Sequence, residues 1–211
     1  AVFENDYDDM IEFVFAQWAT NLGFFGNFGC KSINIGDTRI KRAEITLAAE
    51  LNLTKESSLI FQAGYTYINP KQITYDSAYV MKIGPDNAKG SDSTDFLKYR
   101  YRHILRGDVE YKWRKASVGT SVRYNSRMEN IDKIFTSGLL DFSFPPGLGI
   151  SDYRKYFTKG DLVFDFRSSY DFTKIFQLSF IVKNVFNYIY MQRPADMQPP
   201  RTFVLQGSFK F

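Results

Sequence analysis

The strongest limit on this chain is the period of its hydrophobic residues, which is two. From Arg42 to Leu53 the odd positions are Ala43, Ile45, Leu47, Ala49, Leu51 and Leu53, against Arg42, Glu44, Thr46, Ala48, Glu50 and Asn52. From Tyr99 to Arg114 one parity holds Tyr99, Tyr101, His103, Leu105, Gly107, Val109, Tyr111 and Trp113. The other holds Arg100, Arg102, Ile104, Arg106, Asp108, Glu110, Lys112 and Arg114. The pattern returns in Leu162, Phe164, Phe166, Tyr170 and Phe172, in Phe176, Leu178, Phe180 and Val182, and in Phe203, Leu205, Phe209 and Phe211. Successive side chains of a strand point to opposite faces, so this period makes two-faced strands and spoils any helical stripe. It predicts eight strands, near 1–14, 31–53, 58–70, 97–114, 116–129, 159–172, 175–190 and 201–211, and no helix is needed.

The connections alternate between two lengths. Short turns fall at Thr54–Ser57, around Lys115 and at Thr173–Lys174, and long loops near 15–30, 71–96, 130–158 and 191–200. A soluble sandwich mixes loop lengths at both ends, whereas an outer-membrane barrel keeps short turns on the periplasmic side and long loops outside. Several runs exceed the roughly 9–11 residues of a tilted bilayer crossing. Aromatics gather toward both ends of the runs, Tyr99 and Tyr101 opposite Tyr111 and Trp113, where interfacial girdles sit. Aromatic residues are 18% of the chain, which favours strands again. The expectation is all-β: the wall of a transmembrane antiparallel β-barrel in the outer membrane of a Gram-negative bacterium, apolar face to lipid and polar face to water or protein. A soluble β-sandwich or lipocalin-like barrel is the competing reading of the same alternation.

Composition narrows the chemistry. No stretch approaches the roughly 18 uncharged apolar residues of a spanning helix. Charged residues are 24% with a net charge of +4, too balanced for a nucleic-acid patch. One cysteine, Cys30, excludes an internal disulfide and multi-cysteine metal sites, and one histidine, His103, disfavours a His-based zinc centre or a Ser-His-Asp triad. No phosphate-binding Gly-rich loop, nucleophile elbow or spaced carboxylate pair is present, and Asp6, Asp8 and Asp9 lack EF-hand spacing. Neither a catalytic residue nor a cofactor is expected. His103 falls on the lipid-facing parity as a belt residue, and Cys30, at a strand start, reads as a buried or interfacial thiol. The opening AVFENDYDDM lacks an initiator Met and an apolar signal core, which reads as a processed chain or the tail of a longer one.

Val182-Lys183-Asn184-Val185-Phe186-Asn187, then Tyr190, Arg193-Pro194 and Gln198-Pro199-Pro200-Arg201-Thr202-Phe203, resemble the last two strands of TonB-dependent outer-membrane receptors, with a Bacteroidota flavour. Asn34-Ile35-Gly36-Asp37-Thr38-Arg39-Ile40 with Ala43-Glu44-Ile45 resembles the family's mid-barrel strand, Arg42 standing where Gly is usual. Asn5-Asp6-Tyr7 and Asp9-Met10-Ile11-Glu12 resemble a rising strand. The resemblance covers essentially all of residues 1–211. It implies a 22-stranded barrel around an N-terminal plug, with residues 1–211 as its last eight strands and the plug and earlier strands lying elsewhere. It implies active import of a scarce nutrient such as an iron chelate, a cobalamin or an oligosaccharide. The implied partners are outer-membrane lipid, the rest of the barrel and its plug, the TonB complex acting through that plug, and a BamA-type insertase during assembly; the apolar 130–158 loop would either pack over the mouth or bind a surface lipoprotein.

Three groups of residues are candidates for function. Trp18, Phe24, Phe25 and Phe28 place aromatic surface in a loop, either as a ligand platform or as packing. Arg100 and Arg102, ahead of Arg106, Arg123 and Arg127, would attract an anionic ligand on the polar face, or pair with nearby acids as an ordinary lumenal wall. Phe203, Leu205, Phe209 and Phe211 form an apolar edge strand ending in an aromatic residue, the form of the family's assembly signal. Phe135, Phe142, Phe144, Pro145 and Pro146 make a second apolar loop, while Asp86, Asn87, Gly90, Ser91 and Asp92 read as a solvated, mobile one. Two rivals to a receptor remain. One is a self-contained eight-stranded barrel serving as an anchor or adhesin, since eight strands close around their own side chains. The other is a small-barrel outer-membrane enzyme, which one histidine and no catalytic spacing disfavour.

Overall fold

The computed structural model describes residues 1–18, 28–92, 94–138, 141 and 149–209. Eight strands stand in one sheet in chain order. They are β1 (Val2–Gln17), β2 (Phe28–Thr54), β3 (Ser57–Gln72), β4 (His103–Trp113), β5 (Ala116–Asn125), β6 (Asp161–Asp171), β7 (Phe176–Lys183) and β8 (Thr202–Phe209). The registers of β1 with β2 and of β4 through β8 are antiparallel. The short turns are local chemistry. Thr54 Oγ1 and Ser57 Oγ share a 2.8 Å hydrogen bond between β2 and β3. Arg114 takes φ 51° between β4 and β5, as a tight hairpin with the sheet's own twist requires. Thr173 Oγ1 accepts from the Phe176 amide at 3.0 Å before β7.

Three expectations about elements need correction. Helices do form: α1 (Ser77–Ile83), α2 (Pro85–Lys89) and α3 (Ile150–Tyr156). Asp76 caps α1 by accepting from the Tyr79 amide at 2.8 Å, and Pro85 opens α2 where its missing N–H costs nothing. β4 begins at His103 rather than near 97, because Asp95 (φ 55°) and Tyr99 (φ 59°) turn the backbone out of the extended region. β7 stops at Lys183 rather than near 190, because Asn184 and Asn187 sit at φ 51° and 52°. The alternation continues past both points, but the dihedrals do not.

The chain divides into two compact units. The wall unit comprises residues 44–66, 103–126 and 160–211. Its ladder sorts side chains without ambiguity, because directly paired residues share a face. Leu105, Tyr124 and Leu162 align, as do Tyr111, Val118 and Ser168, and Phe180 with Leu205. That face holds Ile45, Leu47, Leu51, Leu53, Trp113, Tyr170, Phe203 and Phe209, all exposed, Leu205 to 70%. Exposed apolar surface this continuous is unsuited to water and suited to lipid. His103 lies on it with Tyr65, whose hydroxyl is 2.8 Å from His103 Nδ1. Arg106, Asp108, Glu110, Ser117, Ser121, Arg123, Asp165, Arg167, Ser169, Gln177, Ser179 and Gln206 line the opposite face.

The loop unit comprises residues 1–43, 67–102 and 127–159. Val14, Ile35, Tyr79, Ile83, Ala88 and Leu97 bury one another there, with Met10, Trp18, Ile33 and Tyr75 against them. The 71–96 segment, expected to be solvated, therefore supplies much of this core, along with buried Phe96. Tyr79 and Ile83 are four apart on α1 and face the same way, a stripe too short to stand out in the sequence. A bulge in β1 opposite Asp37 carries Asp9 at φ 52°. Gly36 is required beside it: at φ 109°, a Cβ there would lie 2.5 Å from Thr74 O. Cys30 is exposed, not buried, because it pairs with Phe15 on the side of β2 away from that core.

Candidate functional site

On the polar face of the wall unit Arg167 and Arg123 are paired with acidic side chains. Arg167 donates from Nη1 and Nη2 to the two Asp108 carboxylate oxygens, each at 2.7 Å, from Nη2 to Glu110 Oε2 at 3.2 Å, and from Nη1 to Ser121 Oγ at 3.2 Å. The guanidinium crosses β5 to reach β4, and the residue beneath it is Gly119, where a Cβ would lie 2.7 Å from Arg167 Cζ. Arg123 Nη2 donates to both Asp165 oxygens, at 3.0 and 3.3 Å, and Asp165 also accepts from the Asn184 amide at 2.8 Å. Arg106 spends its donors on Asn125 Oδ1 and on the carbonyls of Leu105 and Tyr124. Toward the short turns an open groove of about 410 Å³ runs between Lys112, Ser117, Ser169, Gln177, Ser179 and Gln206. Bidentate pairs at about one-third exposure hold geometry firmly while adding little net stability.

The VKNVFN motif proves to be a loop fastener. Asn184 is buried, accepts from the Tyr188 amide at 2.8 Å and donates to Tyr188 O at 2.8 Å, while Asn187 Oδ1 accepts from the Arg201 amide at 2.9 Å. Asn tolerates positive φ and folds its side chain onto nearby backbone, so the motif needs that residue type twice.

In the loop unit the polar centre is Asp132. Its Oδ1 accepts from Lys98 Nζ at 2.8 Å, and its Oδ2 from Tyr99 Oη at 2.5 Å and from the Phe15 amide at 2.9 Å. Lys98 also donates to Tyr79 Oη and Asn87 O. Next to it, Asn130 Nδ2 donates to Lys89 O and Phe96 O, and Ser91 exchanges hydrogen bonds with Ile131. Burial, reinforced by Asp132, holds the Tyr99 and Tyr79 hydroxyls well above the usual tyrosine range; burial and then Asp95 do so for Tyr75. A void of about 20 Å³ lies among Glu12, Tyr75, Tyr79, Phe96 and Lys98, room for one water.

Of the candidates, Arg100 Nη2 donates to Glu12 Oε1. Arg102 grips Glu129 through Nε at 2.5 Å and Nη2 at 2.7 Å, lies 4.5 Å from the Phe96 ring, and is held above its ordinary pKa chiefly by the hydrogen bond to Glu129. Arg154 goes the other way, pushed down to about 10 by burial and then by Arg127. Trp18 Nε1 donates to Gly29 O at 2.8 Å, with Lys31 Nζ 5.7 Å from its ring. Phe24, Phe25, Phe142, Phe144, Pro145, Pro146 and Phe211 lie outside the described residues, while the Phe135 ring packs tilted against Phe15, centroids 5.1 Å apart. Phe203, Leu205 and Phe209 all point from β8 to the apolar face. Among the described residues no three His, Cys, Asp or Glu side chains gather as a metal site. The sequence reading missed Asp132, Lys98, Tyr79 and Asn130; each is an ordinary loop residue until long-range contacts assemble them.

The description of the TonB dependent receptor-like, beta-barrel family matches residues 1–185. No curated protein matches the chain. Among solved structures, the ferric-catecholate import receptor Fiu of K12 E. coli in its closed form superposes with a TM-score of 0.61 at 21% identity, over 100% of this chain and 24% of that one. The siderophore receptor PiuA of Acinetobacter baumannii gives 0.58 at 15%, over 100% and 25%. The copper transporter OprC gives 0.62 at 18%, over 100% and 29%. The chain thus spans about a quarter of the length of the structures it resembles, and at these identities the likeness is one of fold.

Proposed function

Because the chain belongs to the TonB-dependent receptor-like β-barrel family, we propose that residues 1–211 are the last eight strands of a 22-stranded barrel through which the whole protein imports a scarce nutrient. The family's place is the Gram-negative outer membrane, and its members are receptors and transporters, not enzymes. The observation that carries the reading is the two-faced wall, one face exposed and apolar, the other polar and internally paired, with short turns at one end and long loops at the other. The alternative, a self-contained eight-stranded anchor or adhesin, would need β8 to close on β1.

Iron chelates lead the substrate classes, since two structural neighbours are named as a ferric-catecholate import receptor and a siderophore receptor; cobalamins and oligosaccharides follow. Ligand contacts are assigned to Trp18, Phe24, Phe25, Arg100 and Arg102, and the assembly signal read by a BamA-type insertase to Phe203, Leu205, Phe209 and Phe211. The plug, the TonB complex acting through it and a surface lipoprotein complete the partners. The test is uptake of a labelled ferric catecholate, a cobalamin and a maltooligosaccharide by cells with and without the whole gene, and with and without TonB. Uptake of one of them that needs both is expected; uptake independent of TonB would refute the reading. In the whole receptor, Arg100→Ala should weaken ligand binding about tenfold with normal insertion, as expected for one charged hydrogen bond. Unchanged affinity would remove Arg100 from the site.

A further inference from the structure

Between β7 and β8 the chain makes a small hairpin that the receptor reading leaves without a role. Met191 and Met197 face each other in it as an antiparallel bridge. On one side of them the Gln198 amide donates to Tyr190 O at 3.0 Å, and on the other the Gln192 amide donates to Asp196 O at 3.3 Å. The two methionines are therefore the narrow pair of the ladder, flanked by hydrogen bonds instead of making them. Such partners have Cα atoms about 4.5 Å apart and project their side chains from one face. The tip is a tight turn: the Asp196 amide donates to Arg193 O at 2.9 Å, with Pro194 second and Ala195 third at φ 68°. Buried Asn184 clamps the base, its Nδ2 donating to Tyr188 O on one arm at 2.8 Å and to Pro199 O on the other at 3.3 Å. Met197 is 55% exposed and Met191 half-buried.

We propose that Met191 and Met197 form a two-sulfur site for a soft monovalent metal ion, Cu(I) or its analogue Ag(I). Thioethers are neutral, polarizable donors that select Cu(I) over hard cations. A metal–sulfur bond is about 2.3 Å, so two sulfurs on one ion lie at most about 4.6 Å apart. That is close to the spacing at which the ladder starts the two side chains. Pro194 and Asn184 fix the arms before any ion arrives, so little ordering is left to oppose binding. Residues 190–198 carry one cation, Arg193, and one anion, Asp196, so selection falls to the sulfurs and not to net charge. The inference rests on the hairpin and not on which nutrient the receptor imports, so failure of the uptake experiment would leave it standing.

The experiment uses the whole receptor with methyl-labelled methionine, its thiols alkylated so that exposed Cys30 does not compete. Ag(I), which needs no reductant, is titrated in and the methionine methyl resonances are followed by NMR. The Met191 and Met197 signals should shift together with one midpoint and saturate at one ion. The midpoint should hold from about pH 5 to 8, because a thioether does not titrate as imidazole or thiol does. Met191→Leu or Met197→Leu, which keep the volume, should each weaken binding at the remaining methionine about tenfold. Met81→Leu, on α1, should leave it unchanged. Separate midpoints for the two signals, an undiminished affinity in either single variant, or equally tight binding of Zn²⁺ would overturn the proposal. If a variant fails to insert, the shared midpoint and the Zn²⁺ comparison in the wild type still decide.

Discussion

Asp132 accepts from Lys98, Tyr99 and the Phe15 amide while its side chain stays only 4% exposed. Removing one partner of a buried pair strands the other charge, at about 3–5 kcal/mol. Asp132→Ala should therefore loosen the loop unit, seen as faster amide exchange in 67–102 and 127–138 with the wall strands unchanged, and Asp132→Asn should do less. Unchanged exchange would mean that Lys98 is solvated after all. The tyrosines set a pH limit on the same unit. Tyr75, Tyr79 and Tyr99 hold their protons above the ordinary value of 10.0, so the folded unit keeps protons that the unfolded chain releases. Their contribution is whole below pH 10 and is lost as pH rises through the folded values. Arg154 opposes this: its depressed pKa of about 10, against 12.5, adds stability above pH 10. Three groups against one give a net loss. The loop unit should start to open above about pH 10, and Tyr99→Phe should make that alkaline decline shallower in a pH series of exchange rates. Lys98 and Asp132 did not announce themselves in the sequence, because they are 34 positions apart and polar in a polar loop; Tyr99, expected in an interfacial girdle, instead lies outside β4 and donates to Asp132.

At the scale of elements the period of two did most of the work. β2, β3 and β6 fall close to where the alternation put them, because in a lipid-facing strand each side chain's polarity is dictated by its face. Leu47 and Ala48 give the direct test. Leu47→Arg puts a cation near the bilayer midplane, at about 2–4 kcal/mol, and should reduce heat-resistant folded receptor in the outer membrane; Ala48→Arg, on the polar face, should not. Equal effects would mean that the faces are misassigned. Where the alternation misled, it was backbone dihedrals at Tyr99, Asn184 and Asn187 that ended strands inside an unbroken pattern. The helices were illegible for another reason: seven residues make two turns, too few to show a period.

For the whole molecule, the fold was legible and the ligand was not. A barrel wall repeats one rule along every strand, whereas a binding surface depends on loops whose residues meet only after folding. β8 stands at the end of the sheet order with Phe203, Leu205 and Phe209 outward, an apolar edge another strand can pair with during assembly. Phe209→Ala with Phe211→Ala in the whole receptor should lower the inserted amount several-fold, measured against total synthesis, while the molecules that do insert bind ligand normally. Full insertion would free the C-terminal strand of any signalling role. The fastening of Asn130, Ile131 and Asp132 to segments 15, 89–99 and the turn at Ser91 has a separate consequence for anything that meets the cell from outside. The surface on offer is assembled from pieces distant in sequence, so antibodies raised on the intact loops would read a conformational epitope and pass over the same loops presented as peptides.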